Sequence, residues 1–443
     1  MKSILSRLQS FLSAYRYELA VFFLVLLPRI VYAAAVYAHS GSHGFISFSD
    51  AEMFLHQARN LLEHGVMSRF SEPPFLPDPL RTPLYIWFLA ALLWLKVPLF
   101  GMVTVQNILA AVSGVLIYRI GKAHFNAPRA GFLAALLFGV EPLSIYWNNL
   151  LMSDGVFASL FVATVYLFLE KRWYLGAAAL GITALIRPVA LYYVPVFLLF
   201  AVAILYFQER VAIRSALKKA SFILIIFMAI IFPWMLHNKV VFDRWGLSTA
   251  GPLNLYLFSL TEFAARKNIE LPLPFAPEGY HTSPERDIFY RYEFASADFY
   301  MEKFREVVSQ YPFSYLAFHL SSGVRSMNNH DYYYLLNHVV KPKFPNVNWD
   351  TARYAVMLGQ GAWLAVYAFA LIGLFVGGNT RVKVFLAVLF VFNNLLIGYN
   401  GVISSGGRYN LAFVPFVLLL GVLGFMESYR WVKDTIETKM RAK

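Results

Sequence analysis

The chain has 443 residues, 59% of them apolar, 14% charged and 17% aromatic. A soluble domain carries about a quarter charged residues, so these figures exclude an ordinary globular enzyme, and they exclude a disordered chain as well. Cysteine is absent, which removes disulfides and thiolate metal or redox sites. The formal charge of +13 would suit nucleic acid, so the position of the charges decides that question.

Apolar runs of about 18 to 25 residues predict an all-α polytopic membrane protein. A β-barrel would need short alternating segments instead. The first run, 17–38, follows Lys2, Arg7 and Arg16 and is interrupted by Pro28-Arg29. It reads as an uncleaved first span rather than a signal peptide. Next comes a polar, Pro-rich stretch at 39–82, then PLYIWFLAALLWLKV at 83–97. Nine further spans are predicted at 101–118, 130–147, 151–169, 173–186, 189–206, 220–237, 354–376, 384–400 and 409–426. Long, poorly apolar sequence separates 237 from 353.

The positive-inside rule settles two ambiguous segments. Treating 83–97 as an interfacial helix places Arg119, Lys122, Arg129, Lys171 and Arg172 inside, whereas a full crossing would put them outside. Basic residues at both ends of 173–206 make it a hairpin with Arg187-Pro188 at its outer tip. The count is then about ten spans with both ends inside. The inner segments hold 19 Lys and Arg, while the short outer connections hold only Arg187 and Arg408. The outer region from Lys239 to Arg353 is neutral, with 12 basic and 12 acidic residues. The excess charge is therefore a topology signal, and no nucleic-acid partner is expected.

Polar residues collect on the outer side. In FSDAEMFLHQARNLLEHG, Asp50 and Glu52 precede Phe54, Leu55, Ala58, Leu61 and Leu62, one apolar stripe on a helix along the membrane surface. Ser49 or Asp50 could equally cap that helix. EPPFLPDPLRTP is too rigid for helix and delivers Arg81, either an interface anchor or a ligand, to the interfacial segment. Asp154 lies in WNNLLMSDGVFASL, and a carboxylate at membrane depth is a functional candidate, with an N-cap as the alternative. Glu141-Pro142 reads as a kink satisfied by neighbours. Arg29, Arg187 and Arg408 offer planar forks suited to phosphate, or snorkelling anchors. Acidic and basic groups on one face suit a substrate with a phosphate and a group that must lose a proton.

The outer region of about 115 residues, 238–352, is expected to fold over the membrane mouth. Within it, an amphipathic segment near 285–310 precedes HDYYYLLNH at 330–338, whose Tyr and His, His330 included, would stack on a sugar or join the interfacial belt. The histidines show no clean metal spacing, and His330, Asp331 and His338 come nearest. A divalent metal stays open and no cofactor is assigned.

An acidic residue in the first outer loop, a second after the third span, and an interfacial segment opening Arg-x-Pro together resemble the GT-C glycosyltransferases. Within these the pattern looks most like the bacterial branch related to protein O-mannosyltransferases and lipid A aminoarabinose transferase (glycosyltransferase families 39 and 83). ALIRPVAL at 184–191, FPWMLHN at 232–238, LSTAGPLNLYL at 247–257 and GGRYNLAFVP at 406–415 echo it in the family order. Departures are His237, where relatives commonly have Arg, and Arg81, where the aminoarabinose transferases have Glu-Lys-Pro.

The resemblance implies a GT-C membrane module at 1–237 with a catalytic first outer loop at 39–100, the outer region at 238–352, and C-terminal helices with a basic inner tail at 353–443. It implies an enzyme of the inner or plasma membrane that moves a sugar from polyprenyl phosphate to a lipid, glycan or protein acceptor on the extracytoplasmic face. Asp50 would match the catalytic aspartate and Asp154 the second acidic position, which shapes the acceptor or metal site. Arg187 and Arg408 would lie near the lipid phosphate, and Glu52, Arg81, Arg29 and His330 are further substrate-binding candidates. A hydroxyl needs a general base, and partial desolvation is expected to raise the Asp50 pKa toward the working range. Arginines would stabilise the leaving phosphate, giving a single inverting displacement. Two alternatives stay open. One is an O-antigen-type ligase or polymerase using Arg325, His330 and His338. The other is a lipid or solute transporter, for which no internal repeat is seen.

Overall fold

The computed structural model describes residues 13–274, 292–327, 348–398 and 406–441, and among them every regular element is helical. His330 and the run at 330–338 lie outside the described residues.

Seventeen α-helices are used below. The first half holds α1 (Arg16–Ser40), α2 (Ser49–His64), α3 (Pro83–Trp94), α4 (Leu99–His124), α5 (Pro128–Val140), α6 (Pro142–Asn148), α7 (Ser153–Leu169), α8 (Trp173–Ile186), α9 (Val194–Ala203) and α10 (Ile213–Phe242). The outer layer follows as α11 (Ala250–Asn254), α12 (Thr261–Lys267), α13 (Phe294–Gln310) and α14 (Pro312–Met327). The chain closes with α15 (Trp349–Phe375), α16 (Thr380–Leu396) and α17 (Val414–Arg441).

Each of the ten predicted spans overlaps a helix among the described residues, but not every one of these helices is long enough to cross a membrane by itself. Among the described residues, six helical segments are long and apolar enough to cross a membrane, or seven if α5 and α6 count as one bent span. The remaining three, α7, α8 and α16, have 17, 14 and 17 residues. At 1.5 Å per residue they extend about 21–26 Å, short of a hydrocarbon core about 30 Å thick. The 12 residues of α3 reach only about 18 Å, also short of that thickness.

The bundle closes on small residues. A Cβ on Gly121 of α4 would lie 2.6 Å from the Cα of Gly131 on α5, so only glycine permits that approach. The break between α5 and α6 bends the chain by 58°, because Pro142 cannot continue the hydrogen-bond ladder. Glu141 then caps α6, accepting from the N–H groups of Leu143 and Ser144. The expected kink, satisfied by its neighbours, is therefore present.

The outer layer builds a second, smaller core around Tyr256, Leu260, Phe263, Tyr300, Tyr315 and Phe318. Leu80, next to Arg81, belongs to the same cluster, so the first outer loop and the outer layer pack as one unit.

Candidate active site

The apolar stripe of α2 is buried at Ala51, Phe54, Leu55 and Ala58, which leaves its first turn at the rim. Phe48 occupies the cap position and no side chain caps the helix. The capping alternative for Asp50 is thereby corrected. Its Oδ1 instead accepts from Arg81 Nη2 at 2.8 Å, and its Oδ2 from Arg408 Nη1 at 3.3 Å.

Arg81 is held by a loop that is itself pinned. Asp78 is buried, pairs with Arg69, and accepts from Gln57 of α2 and from the backbone N–H of Leu80. On the other side Thr249 donates its N–H to Pro79 O at 3.1 Å and its hydroxyl to Tyr292 O at 2.7 Å. The Arg81 guanidinium also lies 4.9 Å from the Phe54 ring centre. Arg81 thus serves as a partner to Asp50 rather than a free interface anchor.

Asp154 sits in the first turn of α7, where Met152 is the cap residue and no side chain caps. Its buried carboxylate accepts from Arg187. Arg187 is available there because α8 stops at Ile186: Pro188 follows, and Arg187 itself is extended, with φ −144° and ψ 126°. The connection before Asp154 is fixed from α4. Gln106 donates to Asn148 O and Leu150 O at 3.0 and 2.8 Å, and Asn107 exchanges bonds with Asn148 and Asn149 at 2.8 and 3.0 Å. Gly155 packs directly beneath Asn148, where any Cβ would collide with the amide oxygen. Tyr85 of α3 donates to Gln106 at 2.7 Å. Burial, and secondarily the charge of Asp154, push that phenol well above its ordinary pKa, so it stays a donor.

Arg408 and Tyr409 join the two pairs. The Tyr409 ring centre is 5.0 Å from the guanidinium carbon of Arg187 and 5.0 Å from that of Arg408, which also donates to its hydroxyl at 3.2 Å. Next to them, Asn410 accepts from Asn393 of α16 and donates to Ser326 O of α14 at 2.8 and 2.9 Å. Tyr193 completes this network on Asn393. The outer layer therefore grips both arginines that flank Asp50, through Thr249 on one side and Ser326 on the other.

Three guanidinium groups surround two carboxylates, leaving one positive charge in excess. Burial alone would raise the Asp50 pKa. Arg81, Arg408 and Arg187 outweigh it and hold the carboxyl below its ordinary value. The expected upward shift is overturned: the partial desolvation is real, but three cations dominate it. Burial likewise works against the Arg408 charge, and Tyr409, Asp154 and Asp50 reverse the effect and drive its pKa upward.

Two candidates stand outside this cluster. Glu52 is exposed and faces His56, one turn further along its own helix, at 3.9 Å. Arg29 is fully buried in the bundle and donates to the carbonyls of Val25, Gly139 and Phe138 at 2.9, 3.0 and 3.0 Å and to Ser144 Oγ at 3.0 Å. Phe138 and Gly139 lie at the α5–α6 break, so Arg29 closes a broken helix and its expected substrate-binding role is corrected. His330 lies outside the described residues. Sequence reasoning missed Asp78, whose Pro-rich surroundings gave no hint of burial, and Gln106, Asn107, Thr249, Asn393 and Asn410, because uncharged amides and hydroxyls carry no spacing signature.

The donor set does not suit a divalent metal. Among the described residues no group of three or more His, Asp or Glu converges, and a dication at Asp50 or Asp154 would meet the arginines already paired there.

Residues 79–237 match the family described as dolichyl-phosphate-mannose-protein mannosyltransferase, a GT-C superfamily domain. The match includes Arg81, Asp154 and Arg187, while Asp50 and Arg408 fall on either side of it. No curated protein matches the chain.

Proposed function

We propose that residues 79–237, which match the dolichyl-phosphate-mannose-protein mannosyltransferase family, form the GT-C glycosyltransferase domain of an integral membrane protein, and that the chain moves a sugar from polyprenyl phosphate to a hydroxyl or similar acceptor, with Asp50 as general base. The reading is carried by one observation: Asp50, bracketed by Arg81 and Arg408, lies beside the Asp154–Arg187 pair.

Transfer needs an acceptor oxygen to lose its proton and attack the anomeric carbon. Asp50 takes that proton, the new C–O bond forms, and the sugar–phosphate bond breaks. Its electron pair leaves on the phosphate, and the guanidiniums stabilise the charge developing there. The phosphate is already a stable anion, so no general acid is called for, and direct displacement inverts the anomeric centre. Asp154 fixes Arg187, and Tyr409 spaces Arg187 from Arg408. No step is assigned to a metal. The asymmetry of Lys and Arg supports an active site on the extracytoplasmic face of the inner or plasma membrane. The acceptor would be a lipid, glycan or protein.

The test is transfer by purified protein supplied with monophosphate-linked or diphosphate-linked polyprenyl sugars, followed by mass spectrometry of the product. Transfer from the monophosphate donor with inversion is expected. Exclusive use of the diphosphate donor would replace this reading with that of a glycan ligase, and substrate flux across sealed vesicles without product would replace it with a transporter.

A further inference from the structure

We propose that Asp50 is a masked base: the donor's phosphate competes with the Asp50 carboxylate for Arg81 and Arg408, and so uncovers the base only when the donor is bound. This rests on the transferase reading above and adds its order of events.

Both oxygens of Asp50 are committed, one to each arginine, at 2.8 and 3.3 Å. In that arrangement the carboxylate faces guanidinium N–H groups, not an incoming hydroxyl. The two carboxylates differ in access. The Asp154 side chain is 2% exposed and that of Asp50 18%, while Arg81, Arg187 and Arg408 are 23%, 18% and 12% exposed. A ligand therefore reaches the Asp50 carboxylate and its Arg81 partner more readily than the Asp154 carboxylate.

The cluster's single excess positive charge matches the single negative charge of a phosphodiester. A guanidinium fork accepts phosphate as readily as carboxylate, so the two anions are rivals for the same donors. When phosphate takes Arg81 and Arg408, Asp50 loses two cationic partners and gains an anionic neighbour. Both changes favour proton uptake by the carboxylate, which is the task of a base. The acceptor is then activated only with the sugar in place, so donor binds first. After transfer, the leaving polyprenyl monophosphate is a monoester and carries more charge than the donor. Asp50 gives its proton to solvent, returns to the arginines and helps to expel the product.

A merely structural role for Asp50 makes the opposite prediction, because removing a strut loosens the site. The experiment measures binding of polyprenyl monophosphate to full-length protein in zwitterionic nanodiscs. Asp50→Asn is expected to tighten binding about fivefold or more, within the usual range of coupling between two sites. Asp50→Glu keeps the competing charge and is expected to bind as the wild type does. Arg81→Gln is expected to weaken binding. Unchanged or weaker binding by Asp50→Asn, with Arg81→Gln still weakened, would overturn the masking while leaving the phosphate site intact. Binding that is indifferent to both Arg81→Gln and Arg408→Gln would overturn the phosphate site itself.

Discussion

Two arginines in this protein carry the same signal in sequence and do different work. Arg29 and Arg187 each lie next to a proline in an apolar stretch. Arg29 spends its two terminal nitrogens on the carbonyl of Val25 in its own helix and on two carbonyls and a serine around the α5–α6 break. A buried carbonyl that loses its partner is costly, so those bonds are not available for exchange with a ligand. Arg187 instead pairs with a carboxylate, beside a ring shared with Arg408. A carboxylate partner can be replaced by a phosphate. What marks an arginine as a ligand site is thus the chemistry of its partners, more than its depth in the membrane.

The contrast is broken most severely from the Asp154 side. Asp154→Ala leaves Arg187 with no carboxylate in a poorly hydrated setting, a loss of about 3–5 kcal/mol for a buried pair. Transfer is expected to fall by about 100-fold or more, and an assay on folded, membrane-inserted protein checks it. Near-normal turnover would mean that Arg187 is held by other contacts.

Arg29→Met probes the structural member of the comparison. It leaves buried carbonyls without a donor, at about 1–3 kcal/mol for each group left unsatisfied, and is expected to lower the unfolding temperature in detergent. The KM for donor in the protein that stays folded should not move. A selective rise in KM would return Arg29 to the substrate site.

A smaller effect is expected from Asn107→Leu. It unties Asn148 and Asn149 and loosens the connection ahead of Asp154. Misplacement by about 1 Å can cost up to about 100-fold in rate, and a loss of about tenfold in kcat with KM little changed is predicted. An equal loss with Asp50 already replaced would argue for a global rather than a local effect.

The gentlest probe is pH. The Asp50 carboxyl is held below its ordinary value, so its ion pairs are complete above the usual aspartate pKa of about 3.9. They are lost only as pH falls below that range, and their contribution to stability goes with them. At limiting donor, kcat/KM is expected to stay level from neutral pH down to about 5, because it reports the free enzyme. An acid limb near pH 6–7 would mean a base with a raised pKa in the resting state.

The gathering of Asp50, Asp154, Arg187 and Arg408 was legible because charges stand out in a chain only 14% charged, and the distribution of Lys and Arg predicts that these four share one side. Helix positions were legible for the same reason: α8 has the predicted bounds, α7 begins two residues late and α16 is shifted by four residues at unchanged length. The partners were not legible. Tyr193 reaches an asparagine 200 residues away, and Arg408 reaches Asp50 across 358 residues. Such pairings are chosen by tertiary packing and leave no local pattern. Arg29 shows the converse error: a visible charge whose neighbours turn it to structural use.

The most direct measurement is single-turnover transfer from a monophosphate-linked polyprenyl sugar by Asp50→Asn protein at saturating donor. A general base contributes about 100- to 10,000-fold, so the rate should fall within that range while bound donor is retained. A rate equal to that of the wild type, with donor bound as tightly, would remove Asp50 from the chemistry.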